Sequence, residues 1–403
     1  MHDVRRHHPH ILLSLWFGTL AMAVAGCGGA PPSNDTPAAA APPAIRLETV
    51  ASGLETPWAM SFAPDGRIFV TERPGRVRVI EPSGLVGDPW AEVGVVSSDY
   101  RSEGGLLGIA VSPDFATSGH VFVVGTFAVN GQLINRILRF TDRDGRGVDQ
   151  TVIVGNLPAV TAEPGSERAI HTHVGGALGF GPDGMLYTTT GDATRPELSQ
   201  DPASLAGKLL RYRPDGTVPD DNPTPGSPVY ALGLRNPQGL AWSADTGVPF
   251  VAEHGPSELS WETSGGWFGD EANAIGPGLN YGWPDVQGTG GTGAFVDPLV
   301  EWSPSVGPSS LTVYSGTAFP WRGDLLVANL RGERLVRIPL VPDPALATGW
   351  RAASQEPLLE NRVGRIRIVA TGPDGQLYIA NSNRDGRGKA EAEADRIFRV
   401  LPE

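Results

Sequence analysis

Residues 177–192 read ALGFGPDGMLYTTTGD, an apolar run, a Pro-Asp-Gly turn and a second apolar run. A hairpin follows from that pattern, because the turn residues supply the reversal and the flanking runs carry the alternation of a half-buried strand. The same unit recurs as AMSFAPDGRIFVTER (59–73), GIAVSPDFATSGHVFVVGTF (108–127), GLAWSADTGVPFVAEHG (239–255), SGTAFPWRGDLLVANLRG (315–332) and RIVATGPDGQLYIANSN (367–383). Further strand-like runs follow most copies, among them GRVRVI (75–80), NRILRF (135–140), GKLLRY (207–212), ERLVRI (333–338) and DRIFRV (395–400). Each unit is therefore three to four antiparallel strands in about 60 residues. A lone sheet of that size cannot cover both its faces. Radial stacking of six sheets does so, and an all-β, six-bladed β-propeller over residues 45–403 is the fold expected; an extended array of β-sandwiches is less economical, since its repeats run nearer 100 residues. The strand IRLETV (45–50) is expected to complete the last blade and close the ring.

Composition agrees with a turn-rich β protein. The chain has 403 residues with 53 Gly and 37 Pro, yet 40% of it is hydrophobic, enough for a large core. Its formal charge of −13 and the lack of a basic run in residues 45–403 argue against a phosphate-binding surface, so no nucleic acid is expected as a partner.

The first 44 residues read differently. Arg5 and Arg6 precede an apolar stretch from Ile11 to Ala25, and Val24-Ala25-Gly26 places small residues ahead of Cys27, the only cysteine. This resembles a bacterial lipobox, with residues 1–26 as a lipoprotein signal peptide and Cys27 as a lipid anchor to the membrane; the alternative is an ordinary secretory signal. The stretch is too short to span a bilayer. Residues 27–44, rich in Pro and Ala, form a tether, and the chain is expected to be exported to the periplasm or cell surface.

In a propeller the residues just ahead of each inner strand converge on one mouth of the central channel. Counting back from the turn aspartates places Glu103, His173, Arg235, Asn236, Arg365 and Arg367 there, from four blades. Three guanidiniums suit an anionic ligand bearing carboxylates, and an imidazole can take a proton near neutral pH. His120 falls in a turn between strands. His171-x-His173 is a weaker metal candidate, without a third nitrogen or sulfur ligand nearby. The stretches Glu253-His254-Gly255-Pro256 and Asp270-Glu271 offer oxygen ligands for a hard cation, or else form a solvated acidic loop. No GxSxG, HExxH or GxxxxGK[ST] motif is present.

The strings LETPWAMSFAPDGRIFVTERPGRVRVI, EGGLLGIAVSPDF, HVGGALGFGPDG, GLRNPQGLAW, EHGP and GDEANAIGPGLNYGWP resemble the soluble pyrroloquinoline-quinone (PQQ) dependent sugar dehydrogenases. That resemblance implies a six-bladed propeller enzyme with PQQ and calcium as cofactors. It would oxidise an aldose at the anomeric carbon to a lactone and pass the electrons to an external acceptor. By matching strings it implies that His173 is the general base and that Arg235 polarises the quinone carbonyl with Asn236 beside it. Arg365 and Arg367 would hold the cofactor carboxylates, Glu103 and Arg331 would occupy further cofactor positions, and the carbonyls of Gly255 and Pro256 would ligate calcium. Thr172 stands where glucose-oxidising members have Asp. Ser303 stands where they have a substrate-stacking Trp, with Trp302 one position away as a stand-in. The alternative is a non-catalytic cell-surface propeller that binds sugar or protein.

Overall fold

A computed structural model describes residues 44–97, 102–159, 172–256, 269–291, 293–390 and 395–403. Residues 1–43, which hold the expected signal peptide, Cys27 and most of the expected tether, lie outside the described residues, as does His171. The described residues form one compact unit.

Six antiparallel sheets carry the architecture. Their inner strands are Pro57–Phe62, Leu106–Val111, Leu178–Phe180, Pro237–Trp242, Pro308–Val313 and Ile366–Thr371. Each packs against the inner strands of the two neighbouring sheets, and the sixth returns to the first, so the ring closes. The second strand of a blade is flanked on both sides by other blades and is apolar on both faces. Ile68–Glu72, Leu186–Thr190, Pro249–Glu253, Leu325–Asn329 and Leu377–Asn381 are accordingly buried at every position. Core clusters sit between sheets; one joins Leu326, Ala328 and Leu335 of the fifth blade to Val369, Leu377, Ile379 and Phe398 of the sixth.

Closure is made by the strand expected to make it. Ile45–Leu54 pairs antiparallel with Asp395–Pro402, in a register that sets Leu47 opposite Val400. At the end of this pairing Asp395 is fully buried and accepts the backbone N–H groups of Thr56 (2.8 Å), Asn383 (2.7 Å) and Arg384 (3.2 Å). One carboxylate thus ties the start of the first blade to the last.

The fifth repeat departs from the sequence reading. Its inner strand is Pro308–Val313 rather than the apolar stretch after Ser315. Those apolar residues belong instead to a loop whose side chains fill a gap in the core: Phe319 and Trp321 stack at 4.1 Å, and the Phe319 N–H donates to Tyr314 Oη at 3.2 Å. His120, expected in a turn, opens the strand His120–Val129 and packs half-buried against Phe122. Asp270-Glu271 is likewise no solvated loop, since it begins the buried strand Asp270–Ala274.

Replacing Asp395 by Ala leaves three amides without their acceptor, each costing about 1–3 kcal/mol when buried. Urea unfolding of Asp395→Ala is expected to show a loss of at least about 3 kcal/mol, and a loss below about 1 kcal/mol contradicts this account of closure.

Candidate active site

Glu103, His173, Arg235 and Asn236 lie just ahead of inner strands at one end of the ring, while Arg365 and Arg367 flank Ile366. Glu103 joins three of the blades. Its Oε2 accepts the His173 backbone N–H at 3.0 Å, Asn236 Nδ2 at 2.9 Å and Gln238 Nε2 at 3.3 Å. Burial pushes the Glu103 carboxyl up. The positive fields of His173, His254 and Arg387 and the Asn236 hydrogen bond outweigh that and hold it below its ordinary value of 4.5.

His173 has a left-handed backbone, φ 56°. Its carbonyl presses on Gly191, where a Cβ would overlap the oxygen, so only glycine fits in the TTTGD segment. That close approach brings the next residue, Asp192, against the ring. His173 Nδ1 and Asp192 Oδ1 are 2.8 Å apart. Asp192 is fully buried and also accepts the Thr194 N–H at Oδ1 (2.8 Å) and Trp283 Nε1 at Oδ2 (2.9 Å). An ionised carboxylate can only accept, so the Nδ1–H tautomer is selected and the lone pair lies on Nε2. The imidazole is 12% exposed.

Arg235 is 3% exposed. Its N–H donates to Glu253 Oε2 (2.6 Å), Nη1 donates to the His254 carbonyl (3.0 Å), and its guanidinium lies 5.4 Å from the Trp283 ring centre. A neighbouring cavity is lined by Trp58, Arg73, Glu103, Gln238, His254, Arg365, Arg367, Asp385 and others. Arg367 covers the Trp58 ring at 4.0 Å and donates from Nη1 to Gln238 Oε1 at 2.6 Å. Among the described residues its buried Nη2 has no hydrogen-bond partner, and neither has His254 Nε2. Burial pushes the Arg367 guanidinium down to about 9, although Glu103 opposes this, and pushes the His254 imidazole down to about 4. Buried donors without acceptors beside a stacked guanidinium fit an anionic, planar, oxygen-rich ligand such as PQQ.

Gly255 and Pro256 border a second small cavity with Arg235, Glu253, Glu271, Tyr281 and Trp283. Gly255 donates its N–H to Asp270 Oδ1 at 2.9 Å, and a Cβ on it would collide with the Gly269 carbonyl. Glu253 and Glu271 face each other across paired strands and share the Asn273 amide, at 3.0 and 3.1 Å. Burial raises both carboxyls, with Glu271 adding to the rise of Glu253; Glu271 reaches about 7. Two buried acids beside carbonyl oxygens form a donor set that a hard cation would suit. Among the described residues no group of three or more His, Cys, Asp or Glu side chains is arranged around one point as a metal site.

Some expectations are displaced. Arg331 is exposed, one residue beyond the cavity-lining Leu330. Trp302 cannot stand in for a stacking indole, because it is 6% exposed and packs in the core with Phe250, Ala272 and Val300. Ser303 is exposed. Register does not single out Asp192, Gln238, Trp283 or Arg73; only Asp192 carries a usable signal, the Gly-Asp that ends its repeat.

Glu103 gives a pH test. A carboxyl held below its ordinary value in the folded state stabilises the fold above about pH 4.5, and that contribution disappears as the pH falls through the lowered folded value. Wild type is therefore expected to be more stable than Glu103→Gln at pH 7, with the gap closing on acidification below about pH 4.5. A gap that widens in acid contradicts the assignment.

The Glucose / Sorbosone dehydrogenase family model matches residues 54–390. Among solved structures, a glucose-dehydrogenase-like oxidoreductase from Thermus thermophilus is 42% identical with a TM-score of 0.78, over 89% of this chain and 100% of that one. The PQQ-bound aldose sugar dehydrogenase of Streptomyces coelicolor is 36% identical with a TM-score of 0.74, over 90% of this chain and 99% of that one. The aldose sugar dehydrogenase YliI of Escherichia coli K12 is 28% identical, over 86% of this chain and 92% of the relative. A propeller whose mouth gathers a histidine–aspartate pair and a cationic cavity, matched along most of its length, belongs to the glucose/sorbosone dehydrogenase family.

Proposed function

We propose that this chain oxidises the anomeric carbon of an aldose to the lactone, using PQQ with calcium and handing the electrons to an external acceptor. The observation that carries the reading is the Asp192–His173 pair, 2.8 Å apart, beside Arg235 and the cationic cavity. When bound, PQQ supplies the acceptor for the hydride that leaves C1.

The protein's own residues do the rest. His173 Nε2 takes the proton of the anomeric hydroxyl as the C1–H bond breaks, so that the C1–O bond becomes a carbonyl. Asp192 keeps the Nδ1 proton in place and stabilises the imidazolium that results, while Trp283 and Thr194 hold Asp192 against rotation. Arg235 presents a buried positive charge where negative charge develops on a carbonyl oxygen. Arg367 offers its Nη2, unpartnered among the described residues, to a ligand carboxylate. Gly255 and Pro256 would offer their carbonyls to calcium, with Glu253 and Glu271 balancing its charge. Thr172 and the exposed Ser303 leave the choice of aldose to other groups, of which the half-buried Trp283 indole beside His173 is the most suited to stack on a sugar face.

With PQQ, calcium and a panel of aldoses, wild type is expected to reduce an electron-accepting dye. A general base contributes about 10²–10⁴ in rate, so kcat should fall at least ~10²-fold in His173→Gln while PQQ affinity changes little. His171→Gln serves as the control and should cost much less. Equal losses in both variants would move the base elsewhere.

The lipid anchor at Cys27 belongs to the same proposal and rests on the sequence of the leader. In membrane fractions of a bacterial host, wild type should sediment with the membrane and Cys27→Ser should be released. Equal partitioning of the two contradicts anchoring through Cys27.

A further inference from the structure

Arg365, which the family resemblance makes a holder of cofactor carboxylates, is already engaged. Its Nε and Nη2 donate to Asp385 Oδ2 at 2.9 and 2.7 Å, and the two side chains are 10% and 11% exposed. The other oxygen of Asp385 accepts the N–H groups of Arg387 (2.9 Å) and Gly388 (3.1 Å). Asp385 thus occupies the Nε/Nη2 edge of the guanidinium, and a ligand carboxylate arriving on that edge would have to compete with it for the same donors.

Arg73 is in the opposite situation. It enters the same cavity from the first blade, directly after the strand Ile68–Glu72. Its backbone is fixed on both sides: its N–H donates to the Thr56 carbonyl at 3.0 Å and its carbonyl accepts the Leu106 N–H at 2.9 Å. Gly105 permits this approach, since a Cβ there would collide with the Arg73 oxygen. Yet the only hydrogen bond of the guanidinium among the described residues is from Nη1 to the Ser102 carbonyl at 3.0 Å, and it forms an ion pair with no carboxylate among them. Burial holds its pKa below the ordinary arginine range. Like charge on Arg387 and Arg365 adds to that, while Asp385 and Glu103 oppose it. A guanidinium held in a partly desolvated cavity, with five N–H donors and no carboxylate bonded to it among the described residues, gains most from an anion that arrives from outside the chain.

We propose that Arg73 is a ligand-holding residue of this site, donating to a carboxylate of the bound quinone tricarboxylate, and that Arg365 is pre-paired with Asp385 to build the cavity wall. This rests on the reading of the cavity as a PQQ site, and it makes the first blade a contributor to binding. Its physical signature separates it from a structural role. A residue that holds the fold loses stability when truncated, whereas one kept for an anion from outside the chain does not.

The test uses the full chain and two variants, Arg73→Gln and Arg365→Gln. PQQ affinity is measured by equilibrium dialysis with calcium present, and the melting temperature is measured by calorimetry without PQQ. For Arg73→Gln we expect Kd to rise about tenfold or more with a melting temperature equal to or above wild type, and Arg73→Lys to recover part of the affinity because it restores charge without the fork. For Arg365→Gln we expect the melting temperature to fall by a few degrees, because Asp385 loses its partner. A Kd for Arg73→Gln within threefold of wild type overturns the proposal, as does a fall in its melting temperature matching that of Arg365→Gln. If wild type itself binds no PQQ, the reading of the cavity falls and the proposal with it; if wild type binds and Arg73→Gln binds equally, only the proposal falls.

Discussion

Everything at the mouth of this molecule depends on closing a ring of six sheets. Each blade is apolar on both faces and can be buried only between two others, so an open arc would leave two sheets bare. The pairing of Ile45–Leu54 with Asp395–Pro402 removes those bare faces by building the last blade from both ends of the propeller chain. With the ring closed, six inner strands start around one axis, and the residues ahead of them are brought face to face although they are far apart in sequence. Glu103, which touches Asn236 and Gln238 from more than 130 residues away, illustrates the reach of that constraint.

Within the mouth, buried charge is arranged by pairing and by leaving pairs incomplete. Asp192, Asp270 and Glu103 each satisfy several donors and hold loops from different segments in place. Arg367 and His254 keep buried nitrogens without partners among the described residues. The first group accounts for rigidity and the second for affinity, since unmet donors gain most when a ligand supplies acceptors. The Glu253–Glu271 pair shows the complementary imbalance, two acids whose proximity favours a bound cation or a retained proton.

The fold is legible in the sequence because a strand–turn–strand unit, with a Pro-Asp-Gly-type turn in most copies, recurs six times and because inner strands impose a common register. Position along the inner strands accounts for where Glu103, His173, Arg235, Asn236, Arg365 and Arg367 lie in the ring. What stays hidden depends on side-chain direction. Trp283 reaches Asp192 across 91 residues, and no local pattern announces it. Arg365 and Arg73 look alike in sequence, yet among the described residues only the first is bonded to a carboxylate. Trp302 departs from expectation because neighbours on a strand face opposite sides, so one step along the chain sends a side chain from a site into the core. The fifth repeat misleads because Phe319 and Trp321 are apolar for loop packing rather than for strand pairing.

The central claim is oxidation of an aldose at its anomeric carbon. It is tested most directly by supplying an aldose carrying deuterium at C1 to the PQQ- and calcium-loaded protein and weighing the product. The account predicts a lactone, or its aldonic acid, that has lost the C1 deuterium. Formation of a product that keeps the C1 deuterium, or of no oxidised sugar while PQQ is demonstrably bound, would contradict it.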